Sequence, residues 1–430
     1  MAGRIVNRIS RFLGSLPRQF WLLAAGTLVY LIGVEMAYPF ESIYLNGRLG
    51  ISMTTLGLIL GVTLFATLPM QVIGGAVCDR VGRRPVLIVA VLGSMTLYFG
   101  LGLTTNIWLI VALIAVEAAF GWAQYITASN AMIADLTPLE RRAEAFSISR
   151  VTLNIGVMIG PLLAGALIAR DPSYRSTFLA SGAFCGVFLL MVIFLFKETR
   201  PPAARGSSLR DVFAGYGSVV RDRRMVTFCL VALLPLYVFG QIWVTMPVML
   251  HDLHGVSAQR WAWAMVLYGA ATALLQYPVV RLLTRRDAML LMALSSLLTA
   301  LGMGGAALAP WPWTLVFILL ISLGVVLLIP FSSTIVSRLA PARLRGRYMG
   351  FWTLVYMGGY ALGPLLGGWA LDALGGRTAY LVLAAIGLIG AGLFVLLRGR
   401  GEPALGAPET EGAPGPLGDE LRGERPEQAL

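Results

Sequence analysis

The sequence predicts an all-α membrane protein of twelve transmembrane helices arranged as two pseudo-symmetric six-helix bundles. Three observations predict it. Of 430 residues, 57% are hydrophobic and 13% charged, whereas soluble domains run at about 45–50% apolar and about 25% charged. The apolar residues fall in long runs, and a spanning helix needs about 20 of them. Finally, a set of glycine, proline and arginine positions recurs half a chain apart.

In order, the runs are 20–44, 53–77, 85–104, 107–133, 143–169 and 176–196, then 225–250, 258–283, 288–308, 313–337, 347–371 and 377–397. They are too long and too uniformly apolar for a β-barrel, whose strands alternate over about ten residues. Residues 1–19 form a basic tail expected in the cytoplasm, with no small-residue cleavage site behind a short apolar core. Residues 20–196 make the first bundle, 197–224 a cytoplasmic linker and 225–397 the second bundle. Within the linker, Leu209, Val212, Phe213, Tyr216 and Val220 recur at helical spacing among arginines, which suits a helix lying on the membrane surface. The remainder, 398–430, is rich in Gly, Pro and Glu and reads as a disordered cytoplasmic tail.

The net charge of +12 would suggest nucleic acid in a soluble chain, but here it reports orientation. With an even number of spans, all basic residues except Arg48, Arg170, Arg175, Arg260 and Arg377 fall on one side. The positive-inside rule therefore puts both termini in the cytoplasm, in what the composition suggests is a bacterial inner membrane. Cys78, Cys185 and Cys229 are scattered, which excludes a disulfide framework and a zinc cluster. His251 and His254 flank Asp252 without a third ligand and read as surface residues. No Gly-Lys-Ser/Thr phosphate loop and no intramembrane protease constellation is present, so the expectation is a non-enzyme without cofactor or metal.

The halves match at a nearly fixed offset. Gly156-x-x-x-Gly160-Pro161-x-x-x-Gly165 recurs as Gly359-x-x-x-Gly363-Pro364-x-x-x-Gly368. Thr137-Pro138 and Arg142 answer Ala340-Pro341 and Arg345, and Gly82-Arg83-Arg84 answers Thr284-Arg285-Arg286. Such a duplication implies a substrate path between the halves and alternating access by rocking.

At the end of the second span stands Gly75-x-Val77-x-Asp79-Arg80-x-Gly82-Arg83-Arg84. It resembles the signature loop between helices two and three of the major facilitator superfamily. The Gly156, Gly160, Pro161, Gly165 element resembles the motif of that superfamily's twelve-helix drug:proton antiporters. Together with the duplication, the resemblance covers residues 20–397. It implies that Asp79 meets the start of helix eleven around Gly346 and Gly350, and that a loop arginine pairs with Asp135 at the end of helix four. These contacts form a cytoplasmic latch that stabilises an outward-facing state. Two departures stand out: Arg281 replaces the latch aspartate in the second half, and Ala115 stands where the family carries a membrane-embedded arginine, with Glu117 two residues on.

Glu35 and Glu117 are the acids that fall well inside predicted spans. A buried ionised carboxylate is costly, so such a group holds a proton or meets a cation, and either outcome serves proton coupling. Tyr38 shares the Glu35 face, and Gln124 and Tyr125 lie near that of Glu117. Asn154, Tyr237, Gln241, Trp352 and Tyr356 are further candidates for a substrate cavity. Arg150 reads as snorkelling or pairing with loop acids. Gly156, Gly160 and Pro161 are expected to thin and bend the fifth span so that it packs across the interface between halves.

The resulting expectation is proton-coupled export of small lipophilic compounds by a single chain in the bilayer. Its partners are the small-molecule substrate, protons and lipid, with no nucleic acid. Two other readings stay open: a symporter or facilitator for a sugar or other metabolite, and a non-transporting receptor that keeps the fold.

Overall fold

A computed structural model describes residues 16–200, 216–341 and 344–399. Those residues form an all-helical membrane fold in which eleven helices are long and apolar enough to cross a bilayer. Their outward faces carry the large apolar side chains that lipid requires, such as Leu58, Trp108, Phe194, Leu274 and Leu396. Where a span begins, a short polar residue often answers its free N–H groups. Ser52 accepts from Thr55 N, Asn106 from Trp108 N, Asp222 from Arg224 N, Ser257 from Arg260 N and Asp287 from Met289 N.

Two spans differ from the uninterrupted helices expected. The fourth is two helices, Ile107–Phe120 and Trp122–Leu136, broken at Gly121, whose φ and ψ are −87° and −108°. The third span closes on that break, because a Cβ on Gly93 would stand 3.1 Å from Gly121 N. The seventh, expected as one helix over 225–250, is Arg223–Phe239 followed by Thr245–His254, each short of the about 20 residues of a typical crossing. Its break has a packing cause. A Cβ on Gly240 would lie 2.4 Å from Tyr360 O and 3.1 Å from Gly363 Cα, so the backbones touch there. The bend is then held from within, as the Thr245 hydroxyl donates to Gln241 Oε1 at 2.7 Å. The seventh crossing is thus present as two pieces.

The linker positions Leu209, Val212 and Phe213 lie outside the described residues, as do most of the basic tail and the chain from 400 onward. Tyr216–Arg221 is a six-residue helix.

The ends of the spans that carry Arg80, Arg83, Arg84, Arg141 and Arg142 define a basic face; the other face is called the far face. Contacts between halves are tightest toward the far face. A Cβ on Gly57 or Gly368 would run into the facing backbone, at Pro364 O and Met53 O respectively. There the second and eleventh spans are in backbone contact. Asp372 accepts from Thr54 N at 2.7 Å, the Thr54 hydroxyl at 2.6 Å and Met53 N at 3.3 Å, tying the end of the eleventh span to the start of the second. Deeper in, the Tyr38 and Tyr360 hydroxyls lie 3.1 Å apart and Trp261 Nε1 donates to Pro39 O at 3.2 Å. Toward the basic face, Gly75 and Gly346 both face open space.

Candidate functional site

Between the halves lies a cavity of about 330 Å³. Span one enters it with Glu35, Tyr38 and Glu41, and span four with Glu117 and Trp122 at its break. Tyr268, Tyr356 and Tyr360 bring aromatic surface from the second half, while Arg150, Gln71 and Gln276 lie toward the basic face. A mostly apolar cavity with a few convergent ionisable groups is the expected form of a small-molecule site.

The three acids are held differently. Glu117 Oε1 accepts from Trp122 N at 2.9 Å and from the Ser94 hydroxyl at 3.4 Å, so it caps the second piece of its own broken helix. Glu35 is 8% exposed, and its Oε2 is buried with no hydrogen-bond partner. Glu41 is 5% exposed, and its Oε1 is in the same condition. Among the described residues no carboxylate lies within ion-pair distance of Arg150, so the guanidinium stands unpaired with any acid at the cavity's basic-face end.

Glu35, Glu117, Tyr38, Asn154 and Tyr356 all line this one space, although they come from four spans. Gln124, Tyr125, Tyr237, Gln241 and Trp352 lie outside its lining. Gln124 Nε2 donates to Met70 O at 2.8 Å and spans the joint between the second and fourth spans. Tyr125 stacks on Tyr30 at 4.3 Å between ring centres. Trp352 packs on Phe228, and Gln241 secures the bend of the seventh span. Ala115 is also outside the lining, two residues from the acid that is in it.

Gly156 and Gly160 pack against span one of their own half. A Cβ on Gly156 would stand 2.7 Å from Leu31 Cβ, and one on Gly160 would stand 2.7 Å from Glu35 Cβ. The repeat in the second half behaves alike, with Gly359 against Leu236 and Gly363 against Gly240. In this motif Gly165 is the residue that reaches across, to Ala262. The motif therefore sets the position of Glu35 directly.

At the basic face Arg83 Nε donates to Asp135 Oδ2 at 2.8 Å, and its Nη1 lies 3.1 Å from Asp79. The segment after the sixth span adds a clamp that no motif announces, in which Glu198 accepts from Arg83 N at 2.9 Å and Arg84 N at 3.1 Å. Partial burial opposes ionisation of Glu198, but backbone N–H donors from Arg83, Arg200, Arg84 and Thr199 outweigh it and hold the carboxyl below its ordinary range. Arg200 donates in turn to Arg80 O. Asp79 shares Arg83 with Asp135, and its expected approach to the region of Gly346 is not made in this conformation, where Gly346 faces open space.

Comparison with known proteins agrees with this architecture. The family model described as Major Facilitator Superfamily matches residues 23–259 and 237–426. The chain is 29% identical over 391 residues to the Multidrug resistance protein MdtH of Cronobacter sakazakii, covering 88% of this chain and 93% of the relative. It is 25% identical over 383 residues to the uncharacterized MFS-type transporter YqjV of Bacillus subtilis, covering 86% and 91%. Among solved structures it is similar to the nucleoside transporter NupG, with a TM-score of 0.74 at 13% identity over 89% of this chain and 99% of that one. It is also similar to a D-xylose-proton symporter, with a TM-score of 0.67 at 17% identity over 90% and 98%.

Proposed function

The chain belongs to the major facilitator superfamily, and from that premise we propose that it is a proton-coupled antiporter exporting small lipophilic compounds across a bacterial cell membrane. It works as a single chain by alternating access. The observation that carries this reading is the convergence of Glu35, Glu41 and Glu117 on one largely apolar cavity between the halves.

The basic face is the cytoplasmic one, in keeping with the distribution of arginines. The structure then corresponds to the inward-facing state, its far side sealed by Asp372, Tyr38–Tyr360 and the Gly57–Gly368 contact. In this state a lipophilic compound enters from the cytoplasm or the inner leaflet and meets the acid-bearing wall. Its binding expels protons from Glu35 and Glu117 toward the cytoplasm. When the far-face contacts part, the latch region closes between Asp79 and the start of the eleventh span. Reprotonation from outside then displaces the compound, and protonated acids return inward at lower cost than charged ones. The names of the multidrug-resistance relatives support the substrate class.

A pH step across reconstituted vesicles tests the reading. Export should collapse with uncoupler and fall at least tenfold in Glu35→Gln and Glu117→Gln. Gradient-independent equilibration that survives both substitutions contradicts it and supports a facilitator.

A further inference from the structure

We propose that Ser94 and Tyr30, with Tyr125 beyond them, carry the Glu117 proton to the cytoplasmic side through the interior of the first bundle, along a route separate from the substrate cavity. The inference rests on the export reading above and deepens it by naming the path its proton takes.

Glu117 belongs to two surroundings. It lines the cavity, yet its Oε1 also accepts from the Ser94 hydroxyl at 3.4 Å. Ser94 Oγ lies in turn 2.9 Å from the Tyr30 hydroxyl. Both Ser94 and Tyr30 are fully buried, and neither is part of the cavity lining. The Tyr30 ring stacks on Tyr125 at 4.3 Å between centres, and the Tyr125 hydroxyl is in hydrogen-bonding reach of Thr27 and Ser129. This series of hydroxyls leads toward the basic face. Tyr125 and Ser129 follow Glu117 on a span that ends there at Leu136, and Thr27 precedes Tyr30 on one that starts there at Arg18. Thr27 also lines a second cavity, of about 10 Å³, with Phe20 and Ser149, which is room for about one water.

Packing alone does not call for these hydroxyls, because replacing both partners of a buried hydrogen bond by apolar groups of the same shape is nearly neutral. A row of them can pass a proton. In the charged acid Ser94 donates to Glu117 Oε1. Once Glu117 is protonated that bond reverses: the carboxyl proton passes to Ser94 Oγ, the Ser94 proton to the Tyr30 oxygen, and the Tyr30 proton to the next oxygen. Each hydroxyl gains one proton and gives one, so Glu117 alone ends charged and water at the basic face takes the proton. Tyr98, Tyr125 and Cys185, which stand in electrostatic reach of Tyr30, are uncharged near neutral pH and do not trap a passing proton. A lipophilic compound that fills the cavity expels its water and shuts the direct path, while the buried one stays open.

Infrared spectroscopy on the purified full-length chain in nanodiscs tests this. Asn154→Cys labelled with N-pyrenylmaleimide blocks the cavity, and the native Cys78, Cys185 and Cys229 are buried away from the reagent. After a pH jump, the carboxyl band that Glu117→Gln removes reports how fast Glu117 gives up its proton. In the blocked protein Tyr30→Phe and Ser94→Ala should slow that step at least tenfold, and Ser94→Thr should restore most of the rate. Without the block all three should stay within twofold of their parent. Tyr30→Phe removes one oxygen and keeps the stacked ring, so it decides the matter should a Ser94 variant fail to fold. Blocked Tyr30→Phe within twofold of the blocked parent, equal slowing with and without the block, or a blocked parent whose Glu117 no longer exchanges overturns the route. Slowing confined to the blocked protein, in a chain that drives no efflux under a pH step, overturns the export reading alone.

Discussion

Substitution of Asp372 by alanine isolates the far-face seal from the transport chemistry. Asp372, at the end of the eleventh span, accepts from Thr54 N, the Thr54 hydroxyl and Met53 N of the other half, so these bonds exist only while the far face is closed. A side-chain cap contributes about 1 kcal/mol, and an anion at a helix N-terminus adds roughly 0.3–1 kcal/mol when exposed. The Met53 contact is long and the site is exposed, so the expected loss is about 1.5 kcal/mol. That corresponds to roughly a tenfold shift toward the far-open state, since 1.4 kcal/mol is about a factor of ten. Spin labels at Val81 and Arg347, on the basic-face ends of the second and eleventh spans, read the equilibrium as a ratio of short to long distances. Asp372→Ala should raise that ratio about tenfold, and Thr54→Ala, which removes only the hydroxyl contact, should raise it less. An unchanged ratio, or one that moves the other way, refutes the argument.

Three further outcomes follow from packing and charge. Gly160→Val should lower the thermal midpoint and abolish coupled transport, because its side chain would meet Glu35 Cβ and span-one backbone, an overpacking cost of about 1–3 kcal/mol. Arg83→Ala should destabilise the purified chain by about 3 kcal/mol, by stripping Asp135 and Asp79 of a largely buried partner. Arg83→Lys should recover part of the midpoint. Glu198→Gln should destabilise in a pH-dependent way. The folded-state value of Glu198 is depressed, so its contribution is full above the unfolded value of about 4.3 and disappears as pH falls through the folded value. Wild-type and variant midpoints should therefore differ between pH 5 and 7 and converge in acid; a gap that widens in acid is incompatible with the clamp.

Those residues also mark what could be read from the sequence. Apolar run length located the spans, since lipid leaves the backbone no alternative to helix. The repeated Gly-Pro element gave the twofold relation between halves, and the resemblance of the loop to the superfamily's signature implied an arginine on Asp135, a place that Arg83 takes. Glu35 and Glu117 stood out because an acid deep in an apolar run is rare. Glu41 did not, lying near the predicted end of its span, where a charged residue ordinarily reaches the headgroups. The helix instead runs unbroken through Pro39 and Glu41 into the Tyr44–Arg48 π-helical turn, and Glu41 is buried within the protein. The partner of Gly160 was equally hidden, because small residues announce close approach without saying to which helix. Helical periodicity placed Gln124 near the Glu117 side, yet the break at Gly121 rotates the second piece and turns Gln124 toward Met70. Arg150 read as a snorkelling residue because an open basic-face mouth is a property of conformation.

Proton release on substrate binding tests the central claim most directly. Lightly buffered, purified protein with a pH-sensitive dye should acidify the medium on addition of a transported compound near neutral pH. The release should fall in Glu35→Gln and Glu117→Gln and vanish in the double substitution. Saturable binding with no proton released by wild type, or a release that the double substitution leaves intact, contradicts the account.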